Sequence, residues 1–330
     1  MDFVTYESRD ADAIGIKLLV LSLQRHEPTS KLWFVAKEGQ DDLVAWLKTR
    51  PNTEVISGFD PGATGWNIKP SIMLHFLDLG FKRPTWIDSD IILYAPIRHY
   101  FDGAPDDLFI LTQERETASV AGMLARTRSL NLEPGNRRQD PTINSCILSL
   151  TECHRALLKA WLKLTNNPDF IEAQAKPFDQ RPFHYAGGQG LLAALLASKE
   201  FDAVSIRLLM SGADIAHCHT NDSFSLRDRL ANFWKGAPPL VHAQGRKPWR
   251  SHAQGMMSIA LHPYRFVAKQ YLGALPDDEL QWTDWSDDPW VVRLSIALFR
   301  GNASMSGFLV TAASILRQSL KRSARRRSSP

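Results

Sequence analysis

The first ninety residues alternate two hydrophobic patterns. Short apolar runs rich in β-branched and aromatic residues, DFVTY (2–6), KLWFVAK (31–37), TEVIS (53–57) and PTWID (84–88), predict strands. Between them, AIGIKLLVLSLQRH (13–26), DDLVAWLKTR (41–50) and KPSIMLHFLDLG (69–80) predict helices, the second with its acids at the N-terminal end and the third closed by Gly80. Such alternation implies βαβ units, hence an α/β fold with a mixed, mainly parallel sheet flanked by helices. Ligands of such sheets sit at the carboxyl ends of the strands.

Downstream, DLFILT (107–112) and TINSCILSL (142–150) predict further strands, with a polar, Arg-rich loop (131–140) between them. CHRALLKAWLKL (153–164) and GQGLLAALLASKE (188–200) predict helices by leucine spacing, and PLVHAQGRKPW (239–249) begins as a short strand and becomes a loop. Beyond it, Met305, Phe308, Leu309, Ala312, Ile315, Leu316 and Leu320 recur at three- and four-residue spacing, as in an apolar helical stripe. The expected organisation is a main domain over 1–260 and a C-terminal helical extension over 261–330.

Composition narrows this picture. A chain of 330 residues with 44% hydrophobic and 22% charged residues is an ordinary globular protein able to bury a large core. The net charge of +4 is carried by one end: 317–330, RQSLKRSARRRSSP, holds six basic residues and no acid, so the rest of the chain is slightly acidic. That excludes a nucleic-acid groove across the main domain and predicts a tail that meets an anionic membrane surface. Residues between Arg300 and Arg317 are too few and too polar for a membrane span. Three cysteines, Cys146, Cys153 and Cys218, fit a reducing compartment, and the opening MDFVTYESRD has neither the basic nor the apolar region of a secretory signal. The expected location is cytoplasmic, peripheral at the inner face of the cytoplasmic membrane.

Two stretches carry candidate chemistry. WIDSDIIL (86–93) places Asp88 and Asp90 at the mouth of a buried strand, where two carboxylates either hold one hard divalent cation or form a solvated turn. HAQGRKPW (242–249) adds an imidazole, His242, which with carboxylates suits Mn²⁺ better than Ca²⁺. In the same stretch Gly245 allows close backbone approach to a bulky anion, and Lys247 supplies a compact positive charge for phosphate.

WIDSDI and HAQGRKPW resemble the Asp-X-Asp and His-X-X-Gly-X-X-Lys-Pro-Trp motifs of glycosyltransferase family 8, which includes glycogenin and the bacterial lipopolysaccharide galactosyl- and glucosyltransferases. INSCILSL and GGQGLLAALL are similar to the family's Asn-Ser-Gly and Asp-Gln segments, in the expected order. The resemblance covers roughly 1–250 and implies a GT-A fold, the Rossmann-like fold of nucleotide-diphospho-sugar transferases, with a nucleotide-sugar donor and Mn²⁺ or Mg²⁺. Carried over residue by residue, it implies a cation held by Asp88, Asp90 and His242. Donor contacts follow from Val4 and Thr5 at the base, Lys69 and Asp88 nearby, and Gly245 and Lys247 at the diphosphate. Asn144 and Gln189 match catalytic positions beside the donor sugar. Two departures stand out: Cys146 replaces a Gly of the family, and Gly188 and Gly190 flank Gln189 where the family often has Asp.

The implied activity is hexosyl transfer, probe-able as release of UDP, to a glycan or lipid-linked acceptor with retention of anomeric configuration. Because the matched donor segment holds no obvious carboxylate nucleophile, the expected attack is by the acceptor, assisted by the departing phosphate. The alternative is a non-catalytic nucleotide-sugar or glycan-binding protein derived from the same fold. A phosphatase with Asp88 as nucleophile fits less well, since Ile91 follows the second Asp and the motif is far from the N-terminus. HCH (217–219) lacks the two further ligands a zinc site needs and is expected to be packed or solvated side chains. Trp282, Trp285 and Trp290 are expected to anchor the C-terminal segment rather than to stack on sugars.

Overall fold

The strand-forming runs assemble into two sheets in a computed structural model of the chain. It describes residues 1–62, 65–114, 120–137, 143–218, 226–245, 247–250, 263–284 and 288–299, with single positions at 261, 286, 302, 305, 308, 309, 312 and 316. The basic tail, His219, Trp285 and the second HAQG (252–255) lie outside the described residues.

The chain divides into two interleaved units: 1–13, 27–89 and 97–211 form the first, and 14–26, 90–96 and 212–330 the second. The first holds a seven-stranded sheet of order β3-β2-β1-β4-β7-β6-β8. Its strands are β1 (Asp2–Tyr6), β2 (Lys31–Val35), β3 (Thr53–Ile56), β4 (Pro84–Ile87), β6 (Leu108–Gln113), β7 (Ile143–Ser149) and β8 (Ser205–Leu209). Only β7 runs against its neighbours, so the sheet is mixed and mainly parallel, as the βαβ pattern predicts. Helices α2 (Asp41–Lys48), α3 (Lys69–Asp78), α4 (Val120–Ser129), α5 (Arg155–Thr165), α6 (Pro168–Ala175) and α7 (Gly188–Leu196) belong to this unit. Gly80 ends α3 in the left-handed region, φ +86, with its N–H on the Leu77 carbonyl. Phe76, Trp161, Leu191 and Leu192 from these helices share one apolar core with Val4, Trp86, Phe109 and Leu148 of the sheet.

The second unit holds α1, all but whose first residue belongs here (Ala13–His26), α8 (Leu226–Lys235) and a small sheet of order β5-β10-β9. Its strands are β5 (Ile91–Leu93), β9 (Ile215–His217) and β10 (Leu240–His242), with β10 antiparallel to β5 and parallel to β9. The Ser22 hydroxyl accepts the Leu93 N–H at 3.1 Å, tying α1 to β5. Leu261, Phe266, Val292 and Ile296 form a separate apolar cluster near the C-terminus. Among the described residues no helix is long and apolar enough to cross a membrane.

The apolar residues on either side of the Asp pair belong to two strands: Trp86–Ile87 ends β4 of the large sheet, and Ile91–Leu93 is β5 of the small one. A turn at Ser89–Asp90 separates them. A continuous strand would carry both carboxylates into a ladder with apolar neighbours, whereas the turn lets each find its own polar partners.

Candidate active site

In the second unit, register brings three of the predicted residues together. His242 closes β10 opposite Ile91, the residue after Asp90, and the Ala243 N–H donates to the Asp90 carbonyl at 2.9 Å. His242 Nε2 lies 3.3 Å from Asp90 Oδ1, and Lys247 contacts Asp90 Oδ2 while also donating to the Ala243 carbonyl at 2.7 Å. All three side chains are buried. Burial alone would push the Asp90 carboxyl up, but Lys247 and then His242 outweigh it and hold the group well below the usual carboxylate range. Gly245 turns the loop between His242 and Lys247 at φ +77, a conformation that glycine adopts without strain.

His242 has a second partner that sequence reasoning missed. Its Nδ1 lies 3.0 Å from Nδ1 of His217, its register neighbour on β9. Of two facing imidazole nitrogens one must donate and the other accept. With its proton on Nδ1 and donated to His217, His242 would turn the Nε2 lone pair towards a cation held at Asp90. An oxygen and a nitrogen donor 3.3 Å apart are spaced as adjacent ligands of one divalent ion, so this pair fits the metal implied by the sequence. Burial pushes the adjoining Cys218 thiol up to about 12. His217, the first residue of the HCH stretch, is buried against His242.

In the first unit, Asp88 follows β4 and its N–H donates to the Cys146 carbonyl at 2.8 Å. Asp88 Oδ1 accepts from Trp86 Nε1 at 2.6 Å and pairs with Lys69 Nζ at 2.7 Å. Lys69 is only 3% exposed and also donates to the Ser145 carbonyl at 2.8 Å and its hydroxyl at 3.1 Å, so its ammonium fixes Asp88. Ser89 donates to Glu7, a buried carboxylate just past β1 that also receives Arg9. Val4 is core, and the Thr5 hydroxyl is buried without a hydrogen-bond partner; both residues are fully buried in β1, which pairs with β2 and β4.

Asn144 and Gln189 converge on Glu114, a residue that the sequence did not single out. Glu114 Oε2 accepts from Asn144 Nδ2 at 2.7 Å and from Gln189 Nε2 at 3.4 Å. Asn144 is held from its other end as well, because its Oδ1 accepts the Cys146 N–H at 2.9 Å across an irregularity in the β6–β7 pairing.

No family profile matches the chain, and no curated protein matches it by sequence. Solved structures do match. The chain is similar to the apo structure of WbbM, a bifunctional glycosyltransferase, at 14% identity and a TM-score of 0.53 over 88% of this chain and 50% of that one. The fold is the GT-A glycosyltransferase fold. This chain spans about half the length of the WbbM chain. Other matches are the galactosyltransferase LgtC in complex with donor and acceptor sugar analogs (15% identity, TM-score 0.47, 83% of this chain and 100% of that one) and mouse xyloside xylosyltransferase 1 (14%, 0.46, 74% and 98%).

Within this GT-A fold the departures noted in the sequence have local causes. Cys146 is fully buried, with Sγ 3.2 Å from the Thr112 hydroxyl, so a small thiol packs where the motif has Gly. A Cβ at position 188 would come 2.8 Å from Asn67 Oδ1, a buried oxygen with no hydrogen-bond partner. Asn67 thus occupies the space of a side chain there, and the Gly188 carbonyl accepts Trp161 Nε1 at 2.9 Å. A Cβ at position 190 would meet only ordinary contact with the Arg126 guanidinium, at 3.5–3.6 Å. Of the three tryptophans expected to anchor the C-terminal segment, Trp282 is buried against Trp249 and Tyr264, whereas Trp290 is 70% exposed.

Proposed function

We propose that the chain is a metal-dependent glycosyltransferase that moves a hexose from a nucleotide-diphosphate sugar, UDP-linked, to a glycan or lipid-linked acceptor with retention. The observation that carries this reading is the buried cluster of Asp90, His242 and Lys247 at β5 and β10 of a GT-A fold. Asp90 and His242, with Asp88 two positions earlier, would hold Mn²⁺ or Mg²⁺. When bound, the cation supplies Lewis-acid stabilisation of the departing diphosphate. Lys247 and Gly245 would meet that diphosphate, one as a fixed positive charge and the other by close backbone approach. The end of β1 at Val4 and Thr5 would meet the base, and Lys69 would keep Asp88 in place. Glu114 Oε2 holds the amides of Asn144 and Gln189, which would lie beside the donor sugar. Attack by the acceptor on the face that the phosphate leaves is the expected route to retention.

The test is Mn²⁺-dependent release of UDP from a panel of UDP-sugars, with Asp90→Asn and His242→Ala expected to abolish it. NMR of the product anomer checks retention, and an inverted product would overturn that part. One observation favours a second reading, non-catalytic nucleotide-sugar binding: Lys247 by itself already neutralises Asp90. Saturable binding of UDP-sugars with no UDP release under any donor and metal would establish it.

We propose a peripheral location at the inner face of the cytoplasmic membrane, through the basic tail. Trp290, Leu294 and Leu298 support this reading, being exposed at four-residue spacing on the helix Trp290–Leu298. Cosedimentation with anionic liposomes should fall on deletion of 317–330, and unchanged binding would refute the electrostatic contribution.

A further inference from the structure

Arg126 and Arg137 face the two ends of α7 and differ in how their charge is met. Arg137 donates to the carbonyls of Leu196, Phe201, Asp202 and Val204, the shortest at 2.6 Å. Arg126, on α4, is half-buried, its Nε is fully buried, and among the described residues no carboxylate or carbonyl accepts from it. Its neighbours are Gly190, which leaves the guanidinium uncovered on that side, and Phe183, whose ring centroid is 5.8 Å from Cζ and which is 49% exposed. Burial lowers the Arg126 pKa with no acid to offset it, and burial and then Arg126 lower that of His184. Withdrawing a guanidinium from water without a counter-charge costs folding free energy, and proteins tolerate such a charge where a ligand supplies the anion. The planar fork suits a carboxylate, and the exposed aromatic face beside it suits the C–H face of a sugar ring.

We propose that Arg126 and Phe183 form a recognition site for a carboxylate-bearing sugar, beside Gln189 at the first turn of α7. The sugar is either the transferred residue of the donor or a residue of the acceptor glycan. The inference rests on the glycosyltransferase reading only for which of these two it is; binding of the acidic sugar can be measured without turnover.

The experiment uses the full chain and two matched pairs of probes that differ only in a C6 carboxylate. One is UDP-glucuronate against UDP-glucose, the other methyl glucuronide against methyl glucoside, each titrated by calorimetry or saturation-transfer NMR. In at least one pair the acidic probe should bind about tenfold or more tighter, and Arg126→Gln should erase the difference while Arg126→Lys keeps part of it. Preference in the first pair assigns the donor, and in the second the acceptor. Melting adds a readout that a structural role would not give: Arg126→Gln should leave the Tm unchanged or raise it. No preference for the acid in either pair, a preference that survives Arg126→Gln, or a clear fall in Tm in that variant would overturn the proposal. Failure here with intact UDP release would leave the proposed activity standing, and the reverse result would remove the activity but not the site.

Discussion

The buried charges around Asp90 and the half-buried charge of Arg126 are met in opposite ways. Asp90 is answered twice, by Lys247 and His242, and His242 is answered again by His217. Arg126 meets the Phe183 ring face but no carboxylate or carbonyl among the described residues. A group whose neighbours satisfy it is already positioned before any ligand arrives, and removing one neighbour strands the others. An unanswered group costs stability continuously and is relieved only by what binds it. On the proposed reading, the difference separates residues that would build the metal side from one that would read a substrate.

Stranding a partner should give the largest effect. Asp90→Ala leaves the Lys247 ammonium buried without its carboxylate, which should destabilise the fold by about 3–5 kcal/mol in urea or guanidinium unfolding. Adding Lys247→Met to Asp90→Ala should recover most of that loss without restoring UDP release. A double variant no more stable than the single one would show that the pair is not the source of the cost. The next effect lies one bond further out. With the His242 proton on Nδ1, His217→Leu removes its acceptor, and metal affinity measured by calorimetry or Mn²⁺ EPR should fall about 10- to 100-fold. His217→Asn, which can still accept at that position, should keep part of the affinity. Equal losses in both variants would make His217 a packing residue only.

These contacts also mark where the sequence was legible. The bounds of β1 and α1 follow from periodicity because each buries a continuous apolar face, and the cluster of Asp90, His242 and Lys247 is encoded in two compact motifs. Short elements were harder: β9 has three residues, and β8, SIRLL, carries Arg207 in the middle of its apolar pattern. The split of the Asp-X-Asp flanks into two sheets depends on strand pairing over long separations, as in Leu240 with Leu93, which no local window contains. Glu114 and His217 were invisible for the same reason: each acquires its role from a side chain 25 or more residues away. The glycines at 188 and 190 looked equivalent in sequence, and only their neighbours tell them apart.

That pair gives the third prediction. Gly188→Ala drives a Cβ to within 2.8 Å of Asn67 Oδ1, and the repacking should cost about 1–3 kcal/mol. Gly190→Ala meets only ordinary contact at 3.5 Å and removes a glycine from a helix, so it should be neutral or stabilising by up to about 1 kcal/mol. Thermal melts of the two variants should move in opposite directions. If both fall alike, the space around Asn67 does not explain the glycine at 188.

His154 provides the smallest effect and a milder version of the same contrast. It is buried, accepts the Thr151 N–H on Nδ1 at 3.1 Å and faces the Asp107 carbonyl with Nε2 at 3.2 Å, an arrangement that suits the neutral ring. Burial lowers its pKa, outweighing the backbone bonds to Asp107 and Thr151 that raise it. The unfolded chain therefore takes up the proton first, at pH about 6.5, and the fold resists it. The stabilisation is fully present above that pH and is lost as pH falls through the lower folded-state value, at a rate of at most about 1.4 kcal/mol per pH unit. His154→Gln should flatten this part of the stability profile between pH 7 and 5 even if it lowers stability at neutral pH. An unchanged slope in that variant would assign the acid sensitivity to other groups, since Arg126 remains charged across the whole range and contributes none of it.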